Sequence, residues 1–151
     1  MYYDKSKYTE DEIKSLDTML AKDLGSGVTN FSYDIDNGWY LSAFFFGAGC
    51  TLFGPDGTDA TQCDFNNDRG LLVGEYLMNL AKNPKFANHD DGLLLAAFEA
   101  GTLGANVTGT WNAAAIKESL GDNFGTAPLP TVTLSNGETI QLGGMANFKL
   151  Y

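Results

Sequence analysis

Strand-like and helix-like stretches alternate from one end of the chain to the other, and most of the helix-like ones carry their own start or stop signal. Such alternation asks for a sheet covered by helices, so the residues point to one unit of mixed α/β type. Thr9 with Glu12 three residues on makes a capping box. Apolar Ile13, Leu16, Met19, Leu20 and Leu24 follow at helical spacing, with Gly25 as the expected stop. Val28 to Tyr33 reads as a strand. Asp34-Ile35-Asp36-Asn37-Gly38 then offers several N-caps, and Trp39 to Phe46 is apolar almost all round, which predicts a short buried helix ended by Gly47 and Gly49. Cys50 to Phe53 and Thr58 to Phe65, around Gly54-Pro55-Asp56-Gly57, read as a loose hairpin. Asp68 is expected to cap a helix carrying Leu71, Leu72, Val73, Tyr76, Leu77 and Leu80, which Asn83-Pro84 breaks. Asp90 or Asp91 caps the next helix, Leu93 to Ala100, and Gly101 closes it. A strand from Leu103 to Thr108 runs into Gly109-Thr110-Trp111, and a helix from Asn112 to Leu120 stops at Gly121. Phe124 to Leu129, Thr131 to Leu134 and Thr139 to Leu142 are strand-like. Ala146, Phe148 and Leu150 alternate with Asn147, Lys149 and Tyr151 up to the last residue, so the chain reads as a piece cut from a longer protein.

Composition removes several function classes. With 44% hydrophobic and 13% aromatic residues in 151, the chain can fill one core without staples. A formal net charge of -10 argues against sequence-independent nucleic-acid binding and against an anionic lipid partner. No run of 18 apolar residues exists to span a membrane. Met1 is followed by Tyr2, Tyr3 and Asp4 rather than by a basic and then an apolar stretch, so these residues do not read as a leader. Two Cys and one His supply metal chemistry poorly, and neither a metal nor a cofactor is expected. No nucleophile elbow, phosphate loop or dinucleotide fingerprint is present.

Four features invite a closer reading. Asp64, Asn66, Asp68 and Glu75 stand at positions one, three, five and twelve of an EF-hand-like spacing, but Arg69 occupies the sixth position, where the sharp turn needs Gly. An acidic helix start capped by Asp68 explains the segment better. His89, in Asn88-His89-Asp90-Asp91, has no second ligand at metal spacing and reads as a solvated loop residue. Cys50 and Cys63 flank the hairpin turn; either they pair across it or they are two buried thiols. The tryptophans are the most informative. Trp39 follows Asp36-Asn37-Gly38 at a helix start, and Trp111 follows Val107-Thr108-Gly109-Thr110 at a strand-to-helix turn. Element ends are where α/β folds place ligands, and an indole face with amide and carboxylate neighbours suits the C–H face of a sugar. The competing reading is two core tryptophans.

Asn106-Val107-Thr108-Gly109-Thr110-Trp111 resembles the strand and turn before a sugar-stacking Trp in the maltose/maltodextrin-binding proteins, solute-binding components of ABC transporters. Tyr76 to Asn83, Ala96-Ala97-Phe98-Glu99-Ala100-Gly101, Gly125-Thr126-Ala127-Pro128-Leu129-Pro130 and Met1 to Lys5 are similar to family segments in the same order. The resemblance implies an α/β, periplasmic-binding-protein-like (type II) lobe with a mixed sheet flanked by helices. Residues 1–151 match the continuous part of the second, C-terminal lobe of a two-lobed protein; the first lobe and the terminal helices have no counterpart here. The family's sugar-contact helix start falls on Asp36-Asn37-Gly38-Trp39-Tyr40. There Asn37 stands at an acidic position, Trp39 at an aromatic one with Tyr40 beside it, and Trp111 matches the stacking Trp. The implied ligand is a malto-oligosaccharide, captured by closure about a hinge and passed to the ABC permease membrane subunits. The implied location is extracellular, lipid-anchored at the cell surface in the parent protein, or periplasmic. The family has no catalytic residue. The alternatives are a lobe for another oligosaccharide and a small carbohydrate-active enzyme, for which the many carboxylates are scattered rather than paired. Calcium titration followed by thermal melting should leave Tm unmoved; saturable stabilisation at micromolar calcium would restore the EF-hand reading.

Overall fold

The computed structural model describes residues 1–144, so the alternating pattern at Ala146, Phe148 and Leu150 lies outside the described residues. In chain order the elements are β1 (Tyr2–Asp4), a 3-10 turn (Glu12–Lys14), α1 (Leu16–Ala21), β2 (Thr29–Tyr33), α2 (Gly38–Gly47), α3 (Asp68–Ala81) and β3 (Phe86–Ala87). Then come α4 (Asp91–Glu99), β4 (Leu103–Val107), a 3-10 turn (Thr110–Asn112), α5 (Ala113–Leu120), a further 3-10 turn (Gly121–Asn123), β5 (Phe124–Thr126), β6 (Thr131–Thr133) and β7 (Thr139–Gln141). Five strands form a sheet in the order β3-β2-β4-β1-β5, and β6 pairs with β7 as a separate hairpin. The β3, β2 and β4 strands run parallel, with Phe31 opposite both Phe86 and Ala105. β1 lies antiparallel between β4 and β5. This is the mixed sheet flanked by helices that the resemblance implies.

Two apolar groups hold the layers together. The larger gathers Tyr3, Phe31, Tyr33 and Val107 of the sheet with Leu16 and Met19 of α1, Phe44 of α2, Val73 and Leu80 of α3, and Val132 and Ile140 of the hairpin. The smaller joins Tyr2 and Leu103 to Leu94 and Phe98 of α4 and Ile116 of α5. Tyr2 and Tyr3 are consecutive on a strand and so point to opposite faces, and they fall in different groups. The sheet is therefore packed on both faces. Among the described residues no helix is long and apolar enough to cross a membrane.

Several local expectations change. The Thr9–Glu12 box forms, with Thr9 N–H donating to Glu12 Oε2 at 2.8 Å and Glu12 N–H to Thr9 Oγ1 at 3.3 Å. The helix it starts does not run on to Leu24. Ser15 is extended (φ -128°, ψ 124°), bridges to Thr131, and its side chain accepts from Thr18 N–H as a fresh cap. Distant pairing thus overrides the local helical period. The cap of α3 is Asn67, not Asp68: its side chain accepts from the N–H groups of Arg69 and Gly70. Only Ser42, Ala43 and Phe44 of α2 are buried, so that helix is half-covered rather than enclosed. The strand expected from Phe124 to Leu129 ends at Thr126, where Pro128 and Pro130 have no N–H to continue a ladder.

The loop of residues 50–65 holds a single antiparallel bridge, Leu52 to Cys63. Its turn uses left-handed backbone at Phe53 (φ 67°) and Gly54 (φ 76°). In that register Cys63 faces Leu52 rather than Cys50, and both cysteines are free, Cys50 buried and Cys63 exposed. Neither of the two expected arrangements holds. The loop is seated on α3 at Gly70, where an added Cβ would stand 1.8 Å from the Phe65 carbonyl oxygen. Gly74, one turn later, has nothing within 4 Å of its Cβ position. Gly74→Ala should stabilise the fold by up to about 1 kcal/mol through helix propensity. Gly70→Ala should instead destabilise it by about 1–3 kcal/mol, because a main-chain atom must give way. Urea unfolding checks the pair; the same sign for both would show that the loop is not seated there.

Candidate ligand site

Parallel strands deliver their C-terminal ends to one edge of a sheet, and three loops meet there. They are the β2–α2 loop (Asp34 to Asn37), the β3–α4 loop (Asn88 to Asp90) and the turn after β4 (Thr108 to Trp111). Asn88 ties the first two: its Oδ1 accepts from Ile35 N–H at 2.9 Å and its Nδ2–H donates to Asp36 Oδ2 at 2.6 Å. Asp91 ties the second to the third. Its Oδ2 accepts from the Trp111 indole Nε1–H, and its Oδ1 from the Thr108 hydroxyl, both at 2.8 Å.

The residues singled out in the sequence fall in two places on this edge. Asn37 is the N-cap of α2, its Oδ1 accepting from Trp39 N–H at 3.0 Å, so its oxygen is committed to the helix. Trp39 follows in the first turn and is 42% exposed. Tyr40 turns inward and is half-buried: its ring lies 5.7 Å from that of Tyr33, and its carbonyl accepts from the Tyr33 hydroxyl at 3.1 Å. Trp111 stands at the end of the neighbouring parallel strand and is 64% exposed. Neither tryptophan is a core residue. With Tyr33 of β2 in register with Val107 of β4, both indoles follow the last paired residues of adjacent strands.

Other groups at this edge were not legible as site residues. Asp90 caps α4, accepting from Leu93 N–H at 2.9 Å, which frees Asp91 to reach Trp111. Asp36, Asp90 and Asp91 make the edge acidic; both oxygens of Asp91 are taken by Trp111 and Thr108, whereas Asp36 and Asp90 each give one oxygen, to Asn88 and Leu93 respectively, and keep the other as an acceptor suited to a hydroxyl donor. His89 is half-buried rather than solvated. Its Nδ1 is shut off without a partner, and burial pushes the imidazole below its ordinary value while Asp90 opposes. A cavity of about 400 Å³ bordered by Tyr3, Glu10, Lys14, Pro128 and Gln141 involves neither tryptophan. The tryptophan edge is thus an open shelf, and among the described residues its geometry brings together no general acid–base pair or nucleophile–base couple.

The bacterial extracellular solute-binding protein family matches residues 1–148. A Streptococcus pneumoniae serotype 4 protein named maltooligosaccharide ABC transporter solute-binding lipoprotein is 32% identical over 155 residues, covering 91% of this chain and 35% of that protein. A solved structure described as being with acarbose is 44% identical with a TM-score of 0.83, covering 95% of this chain and 36% of the other. The maltodextrin binding protein MalE1 from L. casei BL23, without ligand, is 31% identical with a TM-score of 0.82 over the same shares of 95% and 36%. The chain thus spans about a third of the length of these relatives. Their likeness covers the mixed sheet and its helices, the type II lobe that the motifs imply.

Because both indoles are exposed, Trp39→Ala and Trp111→Ala should each cost no more than about 1 kcal/mol. Phe31→Ala, at a fully buried position, should cost about 3–5 kcal/mol. Denaturant melts of the three variants check this; a loss of core size at either tryptophan would return it to the core reading.

Proposed function

The chain belongs to the bacterial extracellular solute-binding proteins, and on that premise we propose that residues 1–151 are one lobe of a two-lobed protein that binds malto-oligosaccharides. The observation that carries this reading is the pair of exposed indoles at the ends of two adjacent parallel strands. Trp39 and Trp111 supply flat apolar faces for pyranose C–H surfaces. Asn37 and Tyr40 shape the start of α2 beneath Trp39, and the acidic edge accepts from sugar hydroxyls. The likeness to a maltooligosaccharide transporter lipoprotein and to a maltodextrin-binding protein supports this ligand class.

The lobe does no chemistry on its ligand. In the whole protein, a second lobe closes over the shelf, and the loaded protein delivers the oligosaccharide to ABC permease subunits. The parent protein works outside the cell, anchored at the surface by lipid; that the pneumococcal relative is named a lipoprotein supports this reading.

One wall alone leaves the ligand half wet. Tight small-molecule sites bury most of their ligand's surface, and water competes for each hydroxyl that stays exposed. Two stacking rings contribute on the order of 1 kcal/mol each beyond area burial, which scarcely offsets the lost freedom of association. The 151-residue chain should therefore bind maltotriose with a dissociation constant of about 1 mM or weaker. NMR shifts should map to residues 34–40, 88–91 and 108–112. Shifts elsewhere, or none at tens of millimolar sugar, would overturn the function, whereas low-micromolar affinity would overturn the need for a second wall.

A further inference from the structure

Trp111 is held far more tightly than an exposed side chain on a three-residue turn needs to be. Behind it lies Gly109. A Cβ on that residue would stand 2.1–2.3 Å from ring atoms Cζ3, Cη2 and Cε3, so the six-membered ring rests on bare main chain. Its Nε1–H donates to Asp91 Oδ2 at 2.8 Å. The other carboxylate oxygen is fixed by the Thr108 hydroxyl, also at 2.8 Å, and Thr108 Oγ1 in turn accepts from Asn112 Nδ2–H at 3.0 Å. Asp91 opens α4 while Trp111 follows β4, so the clasp joins two separate segments of chain. One ring face is backed and the polar edge is tied, yet the residue remains 64% exposed, which leaves the opposite face outward.

We propose that Asp91 is a positioning residue that locks Trp111 as a ligand platform presenting its face alone. This rests on the reading of the edge as a sugar site. A hydrogen bond to a carboxylate is among the stronger kind, and an orientation fixed in advance lowers the ordering cost of binding. With the N–H committed to protein, Trp111 discriminates by the flatness of an apolar ligand face and not by hydroxyl pattern. Trp39 differs: among the described residues its hydrogen bonds run through its backbone, the N–H to Asn37 and the carbonyl from Ser42. The two tryptophans therefore divide the work, one a fixed face and the other a ring with a polar edge to offer.

The experiment compares the native chain with Asp91→Ala, Asp91→Asn and Gly109→Ala, first without sugar. Indole ¹H–¹⁵N exchange is read by NMR, and Trp111 mobility by fluorescence anisotropy in a Trp39→Phe background. In the native chain the Trp111 indole proton should exchange at least about tenfold more slowly than that of Trp39. Asp91→Ala should abolish the difference and add fast ring motion, whereas Asp91→Asn, whose amide oxygen can still accept from Nε1, should restore most of it. Gly109→Ala should displace the ring while leaving Asp91 in place. With Trp39 present, Asp91→Ala and Gly109→Ala should weaken maltotriose binding about three- to tenfold, and Asp91→Asn much less. Equal indole exchange for the two tryptophans in the native chain overturns the clasp, and that measurement needs no variant to fold. A loosened ring with unchanged affinity overturns the positioning role. A native chain that ignores maltotriose overturns the sugar reading while leaving the sugar-free measurements to judge the clasp.

Discussion

The parallel pairing of β2 with β4 is the constraint from which the rest of the architecture follows. Parallel neighbours cannot be joined by a tight turn, so the chain between Tyr33 and Leu103 must cross over, and α2, α3, β3 and α4 lie within that crossing. The same crossing brings the ends of β2, β3 and β4 to one edge. Every residue of β4 is buried, as are four of the five in β2, and polar ones among them need partners. Asn106 Nδ2–H donates to the Ser32 carbonyl and hydroxyl across the pair. Asn30 Nδ2–H donates to the Met19 and Lys22 carbonyls at 2.7 Å each, fastening the end of α1 to the sheet.

What was legible in the sequence was what is local. The Thr9–Glu12 box, the Asp90 cap and the Gly101 and Gly121 stops are decided within one helical turn, and all appear where the residues place them. What was not legible depends on distant partners. Ser15 breaks a helix because Thr131 pairs with it. β3 is two residues long and has no period of its own; Phe86 and Ala87 are a strand only because Phe31 and Ser32 lie alongside. At the site, the end positions of Trp39 and Trp111 were readable from neighbouring caps and turns. Asp91 was readable only as a possible cap, because its partner Trp111 is 20 residues away and the parallel order alone brings them together.

The β3–α4 loop is the shared member of the edge. Through Asn88 it fixes the approach to Trp39, and through Asp91, just beyond it, the pose of Trp111. Neither tryptophan is therefore set by its own segment alone, and changes in the two flanking loops are coupled through the middle one. Residues sharing such a network depart from additivity, so the effects of paired substitutions here will not sum.

β1 gives the edge one more property. It runs against β4, pairing Tyr2 with Asn106 and Tyr3 with Ala105, so its first residue lies where β4 ends, beside the turn that carries Trp111. The Tyr2 hydroxyl even reaches the Gly109 carbonyl, at 3.4 Å, beneath the indole. The turn that carries Trp111 is thus braced from two directions, from α4 through Asp91 and from β1 through Tyr2, so an indole at the tip of a short turn inherits the stiffness of the sheet itself.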